Sequence, residues 1–198
     1  SDYIHNLYGV SYDPKSEVLV TVGVSEALFL AFKAILDPGD EVLVVEPCFV
    51  ANAAAVEMAG GVPVTVGTQA ENDFEVTRAD IEPYVTERTR AILISYPNNP
   101  TGAVLSPERM TELAQFAQDY DLVVISDESY ERLIYTGSHT CFAAIPGMRE
   151  RTILLSGVSK SFAMTGWRIG YATAPADIMA AMRKFHQYLI MSAPTTGH

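Results

Sequence analysis

Basic residues are scarce in this chain. Lys and Arg number 13 against 24 Asp and Glu, a net charge of −11. That balance argues against a nucleic-acid partner, whose phosphates need a basic face. Cysteine is scarcer still. Cys48 and Cys141 show no metal-ligand spacing and no disulfide framework, which fits two buried thiols in a reducing, cytoplasmic setting. No apolar run approaches the roughly 18 residues a membrane-spanning helix needs. The opening SDYIHNLYGV lacks a basic stretch followed by an apolar core, so it does not read as a signal peptide. Repeats, low-complexity segments and internal linkers are missing too. There is no Met at position 1, and SAPTTGH (192–198) offers no closing element. The expectation is a piece of a longer polypeptide.

What is present is apolar and alternating. Apolar residues make up 48% of 198 residues, enough for one sizeable core. The segment SEALFLAFKAIL (25–36) carries Leu28, Ala31, Phe32 and Ile35 on one helical face, and DPGD stops it. VANAAAVEMAGG (50–61) reads as a helix ending in a glycine signal. SPERMTELAQFAQDY (106–120) opens with an N-cap Ser and a first-turn Pro, and APADIMAAMRKFHQYL (174–189) reads as the last helix. Between them lie LVTVG, EVLVVE, VPVTVG, RAILIS, LVVIS and TILLS as strands, and WRIGY as the start of another. Several strands are continuously apolar rather than alternating, the pattern of a parallel sheet covered by helices on both faces. An α/β, three-layer α/β/α fold follows. Residues 67–80 read as a polar surface excursion.

The unusual residues cluster after strands. YPNNPTG follows RAILIS, DESY follows LVVIS, GVSK follows TILLS, PCF follows EVLVVE, and LVTVG ends in a glycine just before a helix. Ligands of open α/β sheets bind beyond the carboxyl ends of the strands. Asn99, Asp127, Lys160 and the Gly23 turn all fall at that edge.

Taken singly, each has an ordinary structural explanation: Asp127 as a cap, NNPTG as a turn, Tyr130 and Phe49 as core, Ser25 as an N-cap. Those explanations do not account for all of them meeting at one edge. A P-loop nucleotide hydrolase is one reading of LVVISDE and SKS. It fails because Ser159 and Leu154 stand where the phosphate-wrapping glycines must be, and because the lysine motif follows the acidic one. A pyridoxal 5′-phosphate enzyme gives every residue work. Lys160 would join the cofactor aldehyde as a Schiff base. A free lysine is neutral only about once in 2,500 at pH 7, so partial burial and a nearby cation are expected to help it shed a proton. Asp127 would keep the pyridine nitrogen protonated. Asn99 and Tyr130 would reach the ring 3-oxygen, and Phe49 would lie on the ring. Arg168 would grip the phosphate, with the amides of Val24 and Ser25 at a helix start.

TVGVSEAL, DPGDEVLVVEP, YPNNPTG, VVISDESY and GVSKSFAMTGWRIGY stand together in this chain. In that order and spacing they resemble the class I/II aminotransferases of the fold-type I pyridoxal phosphate family, near the bacterial aspartate and aromatic branch. The resemblance implies a mixed, mostly parallel seven-stranded sheet, a homodimer, and transfer of an amino group from an L-amino acid to a 2-oxo acid. It implies that Lys160 moves the proton during transfer. It also implies that residues 1–198 are the cofactor-binding large domain, with an N-terminal segment and a small domain outside it. Some relatives carry a phosphate-binding serine where this chain has Gly157, so Ser159 is a candidate phosphate ligand beside Ser156. Ser129 stands where many relatives have an aliphatic residue and is expected to point away from the ring. A carbon–sulfur β-lyase on the same scaffold and a truncated, non-catalytic fragment are the other readings.

Overall fold

A computed structural model describes residues 1–194, so the last four residues of the SAPTTGH stretch lie outside the described residues. The elements are α1 (Asp2–Tyr8), β1 (Val18–Val22), α2 (Gly23–Ile35), β2 (Glu41–Glu46), α3 (Ala51–Ala59), β3 (Val62–Gly67) and α4 (Arg78–Ile81) in the first part of the chain. The rest holds β4 (Thr89–Ser95), α5 (Pro107–Asp119), β5 (Val123–Asp127), β6 (Thr152–Gly157), α6 (Val158–Ser161), β7 (Ile169–Thr173) and α7 (Ala176–Leu189). One seven-stranded sheet runs in the order β1-β7-β6-β5-β4-β2-β3. Its pairings are parallel except those of β7, which is antiparallel to both β1 and β6. The mixed, mostly parallel sheet expected from the sequence is therefore present.

The apolar strands are buried on both faces, which is why they do not alternate. Val42, Val44, Ala91 and Leu93 pack with Leu28, Phe32 and Met179 on one side. Their immediate neighbours Leu43, Val45, Ile92 and Ile94 pack with Met110, Leu113 and Phe116 on the other. Each such Val, Leu, Ile, Phe or Met side chain contributes about 1.5–3 kcal/mol by leaving water. A third apolar group, Ile4, Val10, Tyr12, Cys141, Ala143 and Leu154, seats α1 on the sheet. At seven residues α1 escaped the helical periodicity, and Gly9 ends it at φ 72°.

Two local expectations are corrected, and one ordinary explanation, Ser25 as an N-cap, falls away. Helix α2 begins at Gly23, two residues before the expected start, because Gly23 takes φ +74° and turns the chain directly out of β1. Ser25 is not its N-cap. That position is Val22, whose N–H donates to Glu26 Oε2 at 2.5 Å. The 67–80 excursion is more than surface. Its Val76 is fully buried, and a Thr77/Asp80 capping box opens α4, where Ile81 is buried as well.

Candidate active site

Strand direction decides what meets at the carboxyl edge. Strands β1, β2, β4, β5 and β6 all end there. β7 runs the opposite way, so the residue that precedes it, Arg168, is delivered to the same edge. The result is a single cleft of about 180 Å³. Val24, Ser25, Phe49, Asn99, Asp127, Tyr130, Ser159, Lys160 and Arg168 all line it. These nine residues named for the cofactor thus share one cavity, whereas Ser156, the other serine considered for the phosphate, does not line it.

Glycines shape one wall. A Cβ on Gly170 would sit 2.4 Å from Gly23 C and 2.5 Å from Val24 N. On Gly157 it would meet Ile169 O at 2.8 Å and Gly170 Cα at 3.0 Å. Those backbone atoms cannot give way, so the ends of β6 and β7 pack against the first turn of α2 only as glycine. A serine at 157 would therefore need β7 to shift. Gly23 leaves room for the guanidinium: a Cβ there would lie 2.4 Å from one Arg168 terminal nitrogen. Arg168 itself is in the left-handed region at φ 56°, and its other terminal nitrogen donates to Thr165 O at 3.1 Å. A guanidinium beside the amino end of a 13-residue helix is an anion-binding arrangement, since the first-turn N–H groups lack partners within the helix.

At the end of β5, Asp127 is half-buried. Burial raises its carboxyl above the ordinary range, and two hydrogen bonds from Ser129 oppose that shift. The Ser129 hydroxyl donates to Asp127 Oδ1 at 2.6 Å, and its backbone N–H donates to the same oxygen at 3.1 Å. Ser129 lines the cleft, contrary to the expectation that it points away. Lys160 Nζ stands 5.5 Å from the centre of the Tyr130 ring, a cation–π contact. The burial expected of Lys160 is not found: four-residue α6 leaves it exposed.

Several supporting residues gave no signal in the sequence. Buried Asn98 donates to Pro47 O at 3.0 Å and to Ser95 O at 3.3 Å, and its Oδ1 accepts from Thr101 N and Oγ1. One side chain thereby ties the loop that carries Asn99 to the loop after β2. Behind Asp127, buried Glu128 accepts from Ser126 Oγ, Phe142 N and His139 Nε2. Glu131 accepts from Tyr3 and Tyr8 hydroxyls at 2.6 and 2.9 Å. The Glu128, Glu131 and His139 ligand atoms lie within 4.8 Å of one another. Each carboxylate oxygen already has a donor, so the group reads as a hydrogen-bonded brace between α1 and the loop after β5. Such a brace is assembled by tertiary packing and has no linear spacing to read.

Comparison with known proteins agrees with this geometry. The model of the family "Aminotransferase class I and II" matches residues 1–197. A putative aminotransferase, YugH, of Bacillus subtilis is 53% identical over 98% of this chain and 50% of its own length. An aspartate aminotransferase of Pyrococcus abyssi is 47% identical over 90% of this chain and 46% of its own. The crystal structure of an aromatic aminotransferase from Pyrococcus horikoshii superposes with a TM-score of 0.95 at 44% identity, covering 97% of this chain and 52% of that one. The chain spans about half the length of the curated relatives it matches.

Proposed function

The chain belongs to the class I and II aminotransferases, and we propose that it forms the pyridoxal 5′-phosphate-binding large domain of an enzyme that transfers an amino group between an L-amino acid and a 2-oxo acid. One observation carries this reading: an amine, a carboxylate, a guanidinium and a helix amino end line the same cleft. That donor set fits a ligand with an aldehyde, a basic ring nitrogen and a phosphate. The glycine-lined gap that holds the Arg168 head beside α2 suits the phosphate in particular.

When bound, the cofactor supplies an electron-withdrawing ring that stabilises negative charge at the substrate α-carbon. Arg168 and the amides of Val24 and Ser25 would hold its phosphate, with the Ser159 hydroxyl as a further donor. Each charge-assisted bond there is worth about 1.5–3 kcal/mol. Asp127 would keep a proton on the ring nitrogen. Asn99 and Tyr130 would bind the ring 3-oxygen, and Phe49 would pack against the ring. The Lys160 amine would hold the cofactor through its aldehyde carbon, with the aldehyde oxygen lost as water. With its amine free, Lys160 would take up and return the proton of the substrate α-carbon. The proposed substrate is an aspartate-type or aromatic L-amino acid, the types named for two of the relatives. The proposed assembly is a homodimer in a reducing, cytoplasmic compartment, which suits the free thiols of Cys48 and Cys141. Among the described residues no helix is long and apolar enough to cross a membrane.

A second reading, a non-catalytic large-domain fragment, draws on the exposure of Lys160 and the half-length match. Borohydride reduction in the presence of pyridoxal phosphate, followed by peptide mapping, separates the two. The proposed function expects a stable adduct on the Lys160 peptide. It also expects that adduct to be lost after pre-incubation with an amino acid and regained with a 2-oxo acid; a β-lyase would show no such return. Unmodified Lys160 in a folded protein would sink the proposal.

A further inference from the structure

Asp127 and Ser129 make a pair that the cofactor-site reading does not use. Ser129 places two donors on one carboxylate oxygen, Asp127 Oδ1, at 2.6 and 3.1 Å. Among the described residues, none donates to Oδ2. The i to i+2 backbone bond is ordinary turn geometry. The hydroxyl bond is additional, is the shorter of the two, and comes from a side chain that lines the cleft.

We propose, on the strength of the pyridoxal phosphate reading, that Ser129 is a positioning residue that fixes the Asp127 carboxylate by Oδ1 and reserves Oδ2 for the ring nitrogen of the ligand. Two consequences follow from the chemistry of the pair. A carboxylate held at one oxygen cannot rotate freely about its terminal bond, so the second oxygen meets the ligand in one orientation. A hydroxyl donor stabilises the charged form of the carboxyl, against the burial that favours the neutral form. The charged and titratable groups facing Asp127 fit this division. Glu128, next along the chain, opposes ionisation of Asp127. Its own oxygens are taken by Ser126, Phe142 and His139. Lys160, Tyr130 and Arg168 line the same cleft.

The test uses the full-length protein and the variants Ser129→Ala, Ser129→Val and Ser129→Thr. The first measurement is the ¹³C carboxyl titration of Asp127 in the ligand-free protein. Ala and Val should move its midpoint upward, and Thr, which keeps the hydroxyl, should restore it. The second is the dissociation constant for pyridoxal phosphate and for its analogue with CH in place of the ring nitrogen. Ala and Val should weaken pyridoxal phosphate binding about tenfold, the equivalent of about one hydrogen bond to a charged group. Their affinity for the analogue should match that of the parent. An unmoved midpoint, or equal weakening for both ligands, overturns the proposal. A midpoint that moves while borohydride traps nothing on Lys160 of the parent overturns the proposed function, yet supports the hold of Ser129 on Asp127.

Discussion

Gly23→Ala tests whether the turn out of β1 exists to seat the Arg168 guanidinium. Gly23 has φ +74°, a region that L-residues occupy at a cost of about 1–2 kcal/mol. Its new methyl would lie 2.4 Å from an Arg168 terminal nitrogen, the far end of a flexible side chain that is already exposed. The arginine therefore swings away rather than breaking the fold, and the stability loss should stay near the backbone cost. Binding should suffer more. Losing one guanidinium–phosphate bond of about 1.5–3 kcal/mol lowers affinity roughly 10- to 150-fold. Denaturant unfolding measures the first quantity and equilibrium binding of pyridoxal phosphate the second. Pyridoxal, which lacks the phosphate, should bind parent and variant equally. In an Arg168→Ala background, Gly23→Ala should still cost stability but cause little further loss of phosphate-dependent affinity, because the two changes remove the same contact. Unchanged pyridoxal phosphate affinity in Gly23→Ala, with the expected loss of stability, would refute the reasoning. So would full additivity with Arg168→Ala.

How much of this was legible beforehand depends on the kind of signal. The sheet was, because strands buried on both faces are apolar throughout, as EVLVVE and RAILIS are. The cleft was legible too, because the chain must leave each parallel strand at the same edge, and chemistry-bearing residues placed just after strands are brought together by direction alone. Arg168 belongs there for the same geometric reason reversed: it precedes the one antiparallel strand between β1 and β6. What escaped was set by contacts across the fold. The Asn98 bridge to Pro47 and the Tyr3–Tyr8 grip on Glu131 join residues 51 to 128 positions apart, and the burial of Val76 depends on packing across the fold. The error over Ser129 has another source. The expectation rested on the aliphatic residue that many relatives carry at this position, but β5 ends at Asp127, and the turn that follows folds the Ser129 hydroxyl back onto the carboxylate.

Three further outcomes follow from the same contacts. Gly157→Ser, which restores the serine of some relatives, should destabilise by about 1–3 kcal/mol in denaturant unfolding, since its Cβ meets Ile169 O at 2.8 Å; a neutral result would show that β7 can shift. Tyr8→Phe strips a donor from buried Glu131 Oε2 and should cost about 1–3 kcal/mol, with Tyr3 still holding Oε1. Asp127→Asn should stabilise the ligand-free protein at neutral pH. Burial raises the folded-state pKa of Asp127 above the unfolded value of about 3.9, so the unfolded chain ionises first as pH rises, and the parent loses stability across that interval. Asparagine does not ionise and keeps an acceptor for Ser129, so the advantage of the variant should grow from acid toward neutral pH. A stability difference that stays flat with pH would mean the buried carboxylate carries no such cost. Growth of the difference, joined to weaker pyridoxal phosphate binding, would mean that the fold tolerates a destabilising charge at the position where a protonated ring nitrogen would neutralise it.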